Sequence, residues 1–312
     1  MVQHTGSVGI DTVTLVAMFV EAVLYGLLIV LSIASTVVLV RKSRLSRNPI
    51  NKPMIVASVS MFILATVHIA ADLQRLLDAF VRHSTDHPGG SKGYLNRVNT
   101  PIYVLKSTAY GAQTLVGDAF IIYRLHLVWD GDRRIIIPLL ISFIASTGVG
   151  IGAVHGFALA APDDPIFLKD LQHWIVSFFS LTLFTNFTST TLIASRIWWI
   201  HRKTKTIVSG RSVLPAMVVI IESGAIYSAC LIILISLYLS GSFTQYIVLD
   251  AVTQVIGVVF SLVILRVALG ISSETRKTRT GRMTTLAFGG AKSEAMTTED
   301  SEESPVAIFN GS

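Results

Sequence analysis

Two sets of polar residues interrupt stretches that are otherwise fit for hydrocarbon. Glu21, His68, Lys106, His155, Asp250 and Gln254 form one set, and Asp118, Tyr123, Arg124, Glu222 and Tyr227 form the other. They can hold charge, pass a proton or make strong hydrogen bonds. An Asp at the centre of a membrane helix costs about 2.5 to 3.5 kcal/mol to insert, while each Leu, Ile, Phe or Val returns about 0.3 to 0.6. Such side chains must face protein or water, where they serve either function or a structural hydrogen bond between helices.

Depth along the apolar runs separates the sets. The first lies toward one boundary and converges from several helices, as a ligand pocket requires. There Lys106 is expected either to pair with Glu21 or Asp250 or to snorkel toward the headgroups. The second set lies toward the opposite boundary and suits a coupling layer. Asp118 and Arg124 are six residues apart, so they are not a helical i, i+4 pair. Asp118 should find its partner on another helix, with Glu222 or an arginine of the fifth or seventh span as candidates. His68 and His155 lack an HxxxH spacing and read as hydrogen-bonded packing groups rather than metal ligands. No nucleophile elbow, phosphate loop or HExxH pattern occurs, so neither a catalytic residue nor a cofactor is expected.

The elements that must position these groups are membrane helices. Of 312 residues, 52% are hydrophobic and 14% charged, against about a quarter charged in soluble domains. Apolar runs recur at about 14–40, 54–73, 102–127, 135–159, 174–200, 214–240 and 246–270; about 20 such residues cross a hydrocarbon core. A spanning segment must satisfy its own backbone, and the runs lack the alternation of barrel strands, so each predicts a helix. The expectation is an all-α bundle of seven transmembrane helices over 14–271, preceded by an outer tail over 1–13 and followed by a disordered cytoplasmic tail over 272–312.

The net charge of +6 does not indicate nucleic acid, because the Lys and Arg residues cluster in short connections. Nineteen fall on one side of the expected bundle and five on the other. That bias places the N-terminus outside and the C-terminus in the cytoplasm. The connection over 74–101 contains Pro88-Gly89-Gly90, a turn signal, and is long enough to cap an outer cavity. The tail begins basic and ends rich in Ser, Thr and Glu, a composition that forms no core. The single cysteine, Cys230, excludes an intramolecular disulfide.

Four stretches together carry a resemblance: Glu21-Ala-Val-Leu-Tyr-Gly26 in the first span, FILATVHIA in the second, GDAFIIYR ending at Arg124 in the third, and Glu222-Ser-Gly-Ala-Ile-Tyr227 in the sixth. The chain resembles a large group of uncharacterised seven-helix proteins of basidiomycete fungi, with a GDxxxxYR-like third helix and an ESxxxY-like sixth. The resemblance implies topology and a fungal source, not an activity. The topology is similar to that of G-protein-coupled receptors, although Arg124 has no acidic neighbour before it and the seventh span has no NPxxY. The resulting expectation is a plasma-membrane receptor-like sensor of a small or lipidic ligand, contacting the lipid bilayer and a cytoplasmic partner such as a G protein. A proton-coupled carrier using Glu21, Asp118 and Glu222 is the alternative, and an intramembrane metal hydrolase is a remoter third. The last span has no lysine for a retinal Schiff base.

Overall fold

The computed structural model describes residues 9–46, 52–82, 90–160, 169–204 and 214–266, all within one compact unit that runs to Ala268. Every regular element among them is helical. In chain order these are α1 (Ile10–Ser46), α2 (Lys52–Leu77), a π-helical turn (Asp78–Arg82), the short α3 (Gly90–Leu95), α4 (Pro101–Val128), α5 (Arg133–Leu159), α6 (Lys169–Thr204) and α7 (Leu214–Leu239), followed by α8 (Gln245–Arg266). The expected tail over 272–312 lies outside the described residues.

Among the described residues six helices are long and apolar enough to cross a membrane: α1, α2 with its π turn, α5, α6, α7 and α8. Their outward faces carry large apolar side chains, among them Phe19, Val30, Val56, Ile141, Ile144 and Phe187. A water-soluble fold does not leave so much apolar surface uncovered. Lipid is the solvent that covers it, and the chain is a multi-pass, all-helical membrane protein.

The expected third span, α4, has the length, with 28 residues, but not the apolarity. The reason is its place in the bundle. Only Leu105 and Leu127 are exposed large apolar residues on α4, and α8 has none. α4 packs against α2, α5 and α6 and meets α8 through Gln113, which donates to the Thr253 carbonyl at 2.6 Å, and through Phe120 against Phe260. Enclosed by protein, α4 can carry polar groups that a lipid-facing helix cannot.

Local chemistry sets the helix ends. Thr100 caps α4 by accepting from the Tyr103 amide, with Pro101 in the first turn. Asp132 caps α5 by accepting from the Arg134 amide at 3.1 Å. Between them Asp130 and Gly131 take the left-handed region, at φ 52° and 76°. α7 stops at Gly241, φ 66°, where the Ser242 amide reaches back to the Leu237 carbonyl.

The second span runs further than its apolar run, through Leu77 and the π turn to Arg82. Arg75 can remain helical and buried because its guanidinium donates to the Leu95 and Arg97 carbonyls and lies 4.5 Å over the Tyr103 ring. Much of the expected loop is thus ordered helix. Within it, burial and the neighbouring Asp78 carboxylate push the Tyr94 hydroxyl above the usual phenol range, so it keeps its proton and donates to Asp78 at 3.5 Å.

Ser and Thr pairs join neighbouring helices. Ser142 meets Thr185 at 2.9 Å and Ser146 meets Thr182 at 3.4 Å, which sets α5 antiparallel to α6. α6 and α7 approach closely at Gly224, where a Cβ would lie 2.4 Å from Thr190 Oγ1. Gly26, by contrast, has open space beyond its Cα. We therefore expect Gly224→Val to lower stability by about 1 to 3 kcal/mol through overpacking. Gly26→Ala should be neutral or raise it by up to about 1 kcal/mol. Reversible unfolding in mixed micelles measures both.

Candidate functional site

Helix periodicity brings one buried polar stripe onto α2. Its buried residues, Met61, Ala65, His68, Asp72 and Arg75, recur every three or four positions and so share a face. On α1 the corresponding narrow stripe contains Val13, Ala17, Glu21 and Leu28. These faces meet α4 and α8 around a charged centre with no access to solvent.

His68 is fully buried and contacts Glu21 through Nδ1 at 2.7 Å. Its Nε2 faces Asp250 at 3.9 Å. Gln254 donates to the same Glu21 oxygen at 2.8 Å. Lys106, 3% exposed, donates to Asp72 and lies 2.8 Å from Asp250. One ammonium therefore ties α2, α4 and α8 together, and one carboxylate, Glu21, ties α1 to α2 and α8. Three acidic side chains (Glu21, Asp72, Asp250) thus gather around the Lys106 ammonium and the His68 ring. A low-dielectric site tolerates charge only in such matched sets.

Beside this centre a cavity of about 80 Å³ opens among α4, α5, α6, α7 and α8. Its wall is rich in aromatic side chains, including Tyr103, Phe157, Phe178, Phe179 and Tyr238, and His68 and Lys106 line its polar part. Within the wall Tyr103 meets Phe157 edge-on at 5.2 Å and Tyr110 meets Phe179 edge-on at 6.1 Å. His68 and Gln245 both border the cavity, and their Nε2 and Oε1 have no hydrogen-bond partner. The arrangement can take an amphipathic molecule, with its body against the rings and a polar end toward these two atoms.

Glu21, His68 and Asp250 are the one group of metal-ligating side chains that converges among the described residues, with ligand atoms within 4.8 Å of one another. An ion there would have to displace the Lys106 ammonium from Asp250, which speaks against a resident metal.

The other expected site residues are placed as follows. His155 is exposed on α5 and does not join the outer set, because the buried face of α5 there runs through Ala153 and Phe157. Asp118 is 1% exposed, but it meets neither Glu222 nor an arginine. Glu222 is exposed on α7, Arg196 lies against Trp129 and Trp199, and Arg266 is exposed. The neighbours of Asp118 are instead Thr182, Tyr110 and Tyr227, and neither carboxylate oxygen makes a hydrogen bond of ordinary geometry. Tyr227 is buried and Tyr123 half-buried. Arg124 lies 5.9 Å from the Phe120 ring and lines a second cavity of about 90 Å³ with Asn186, Thr190, Ser223 and Tyr227.

Asp72, Arg75 and Gln113 belong to the buried set but were not expected from sequence. Asp72 and Arg75 follow His68 at i+4 and i+7, a legible signal once the second span is carried past residue 73. Gln113 carried no such signal.

No protein-family model, curated protein or solved structure matches the chain. The site therefore rests on its own geometry.

Removing Lys106 leaves two buried carboxylates without their cation. Lys106→Met is expected to cost about 3 to 5 kcal/mol, and adding Asp250→Asn to recover part of that loss. Lys92→Ala breaks a pair in which Lys92 is 65% exposed and 3.7 Å from Asp11, so it should cost less than about 1 kcal/mol. Equal losses for Lys106→Met and Lys92→Ala would refute the matched-charge account.

Proposed function

We propose that this membrane protein is a receptor-like sensor of a small or lipidic ligand, which binds in the aromatic cavity beside the Lys106 centre and signals to a cytoplasmic partner. The observation that carries this reading is the cavity itself. Ligand sites are concave, mostly apolar and supplied with a few convergent polar groups, and this cavity joins an aromatic wall to the charged centre at His68 and Lys106.

In this reading α4 is the seventh span, since its 28 residues reach about 42 Å at 1.5 Å per residue. The N-terminus is outside, following the asymmetry of Lys and Arg, and the protein sits in the plasma membrane. A G protein is the candidate partner, met by the basic end of α6 and the tail. The resemblance to fungal seven-helix proteins supports the topology and carries no activity.

A ligand signals only by favouring one arrangement of the helices over another. The cavity borders α4 through α8, while the charged centre links α4 to α1, α2 and α8, so occupancy bears directly on the packing of α4. The coupling layer consists of Asp118, Tyr227 and Arg124. Glu222, being exposed, is not part of it.

A proton-coupled carrier is the second reading, favoured by the buried succession Lys106, Tyr110, Gln113, Thr114 and Asp118 along α4. It loses one of its three relay carboxylates with Glu222. pH-driven solute uptake into vesicles containing the purified protein would favour it over the sensor.

Gly111 supplies the test. It lines the cavity, and a Cβ added there meets no atom within 4 Å. Gly111→Ala should keep ligand binding and raise stability by up to about 1 kcal/mol. Gly111→Phe should fold and lose binding. The measurement is a thermal-shift and equilibrium-binding panel of fatty acids, sterols and aromatic amines on purified protein, in which saturation at about 100 times Kd stabilises by about 2.7 kcal/mol. No binder in the panel, or equal binding by Gly111→Phe, would overturn the cavity as the site.

A further inference from the structure

A separate feature lies on the membrane-facing surface between α6 and α7. An open groove of about 890 Å³ runs along α6 from Ser180 to Trp198 and along α7 from Ile221 to Ile232. Its rim is apolar and exposed, with Phe184, Phe187, Ile221 and Ile232 between 41 and 62% accessible. Its floor is formed where Gly224 meets Thr190.

Two of the hydroxyl groups along the groove are turned back into their own helix. Thr191 donates to the Phe187 carbonyl at 2.8 Å and Ser195 to the Leu192 carbonyl at 3.0 Å. The groove therefore offers hydrocarbon contact and few free polar partners. That suits an acyl chain and does not suit a polar ligand.

One end of the groove carries unmatched positive charge. Trp198 lines it, and the Arg202 guanidinium lies 3.9 Å from the Trp198 ring centre. Lys203 sits 3.9 Å over Trp199, and Arg196 lies between Trp129 and Trp199 at 5.0 and 4.9 Å. Among the described residues none of these three cations forms an ion pair, and Arg196 Nε is buried without a hydrogen-bond partner. A cation stacked on an aromatic face is held in place while its N–H donors stay available at the edge. Arg133 and Arg134 begin α5 at the same end and are exposed. The acids there are Asp130 and Asp132 in the α4–α5 turn, and Asp132 is already engaged as the α5 cap.

We infer that this groove is a binding site for an anionic glycerophospholipid, one acyl chain lying between α6 and α7 and the phosphate held by Arg202 and Lys203. The site is distinct from the aromatic cavity and does not depend on the sensor reading. Groove and cations are continuous through Trp198, so chain and headgroup are recognised by one surface. The Lys and Arg asymmetry places this end at the cytoplasmic leaflet, where anionic lipids carry the negative surface potential.

The test uses the full chain reconstituted in nanodiscs and read by native mass spectrometry. Retained lipid is compared for phosphatidylserine, phosphatidylcholine with matched acyl chains, and soluble glycerophosphoserine. Phosphatidylserine should be retained preferentially, and the soluble headgroup should not bind. Arg202→Gln and Lys203→Gln should each reduce the preference about fivefold, the weight of one cation near an anionic surface. Ala225→Trp, on the groove surface, should displace both phospholipids from the site, with Ala22→Trp on the exposed face of α1 as a control for general effects. Equal retention of phosphatidylserine and phosphatidylcholine would overturn the proposal. So would an unchanged preference in both glutamine variants, or cross-linking that shows a second copy of the chain seated in the groove.

Discussion

The position of Lys106 governs the bundle. An ammonium six residues into α4, closed off from water, can exist only if counter-charges come to it, and they come from two other helices. Asp72 of α2 and Asp250 of α8 meet it, and His68 links this group to Glu21 of α1. Four helices are thus held in register by matched charge. Apolar packing alone discriminates weakly between one helix arrangement and another when lipid tails are as apolar as the side chains. Hydrogen bonds and ion pairs have direction, and here they choose which faces of α1, α2, α4 and α8 turn inward.

That choice has a consequence for the rest of the fold. Once α4 and α8 are central, their neighbours must cover them, and α5, α6 and α7 do so with aromatic side chains. Rings such as Phe157, Phe178 and Phe179 are bulky and stiff, and where they meet small residues of α4 and α5, such as Gly111, Gly150 and Ala153, space remains. The cavity is therefore a product of the same arrangement that buries the ions. Its polar end is the edge of the charged centre, which explains how an apolar volume in a membrane bundle meets the unsatisfied ring nitrogen of His68.

The helices were legible in the sequence because hydrocarbon imposes a length and a composition that few other environments require. Residues with two roles obscured the pattern. α4 reads as a span by length, but Lys106, Gln113 and Asp118 lower its apolarity because protein, not lipid, surrounds it. Asp72 and Arg75 looked like the end of the second span, since charge normally marks the boundary; tertiary partners allowed that helix to continue. The pairing of Lys106 with Asp250 was among the alternatives read from depth alone, whereas Asp72, one turn from His68, sat at the expected end of the second span and read as its charged boundary. Depth could not say which way His155 and Glu222 face. Rotation about a helix axis is set by neighbours, and a weakly amphipathic helix in lipid does not record it.

Charge is handled in opposite ways at the two ends of the bundle. Near Lys106 it is buried, balanced and shared among helices, so that removing one member leaves the others uncompensated. At the end of α6 it is peripheral, stacked on tryptophan, and lacks carboxylate partners among the described residues. The first arrangement fixes the protein's own architecture, and the second leaves donors facing whatever lies outside it. Asp118 belongs to neither: twelve residues beyond Lys106 on the same helix, about 18 Å along its axis, it is buried among hydroxyl groups with no cation beside it. α4 is a continuous helix from Pro101 to Val128, so the Lys106 centre and the surroundings of Asp118 and Arg124 share one element. In the proposed sensor, that continuity is the link by which an event at the cavity would reach the opposite half of the bundle.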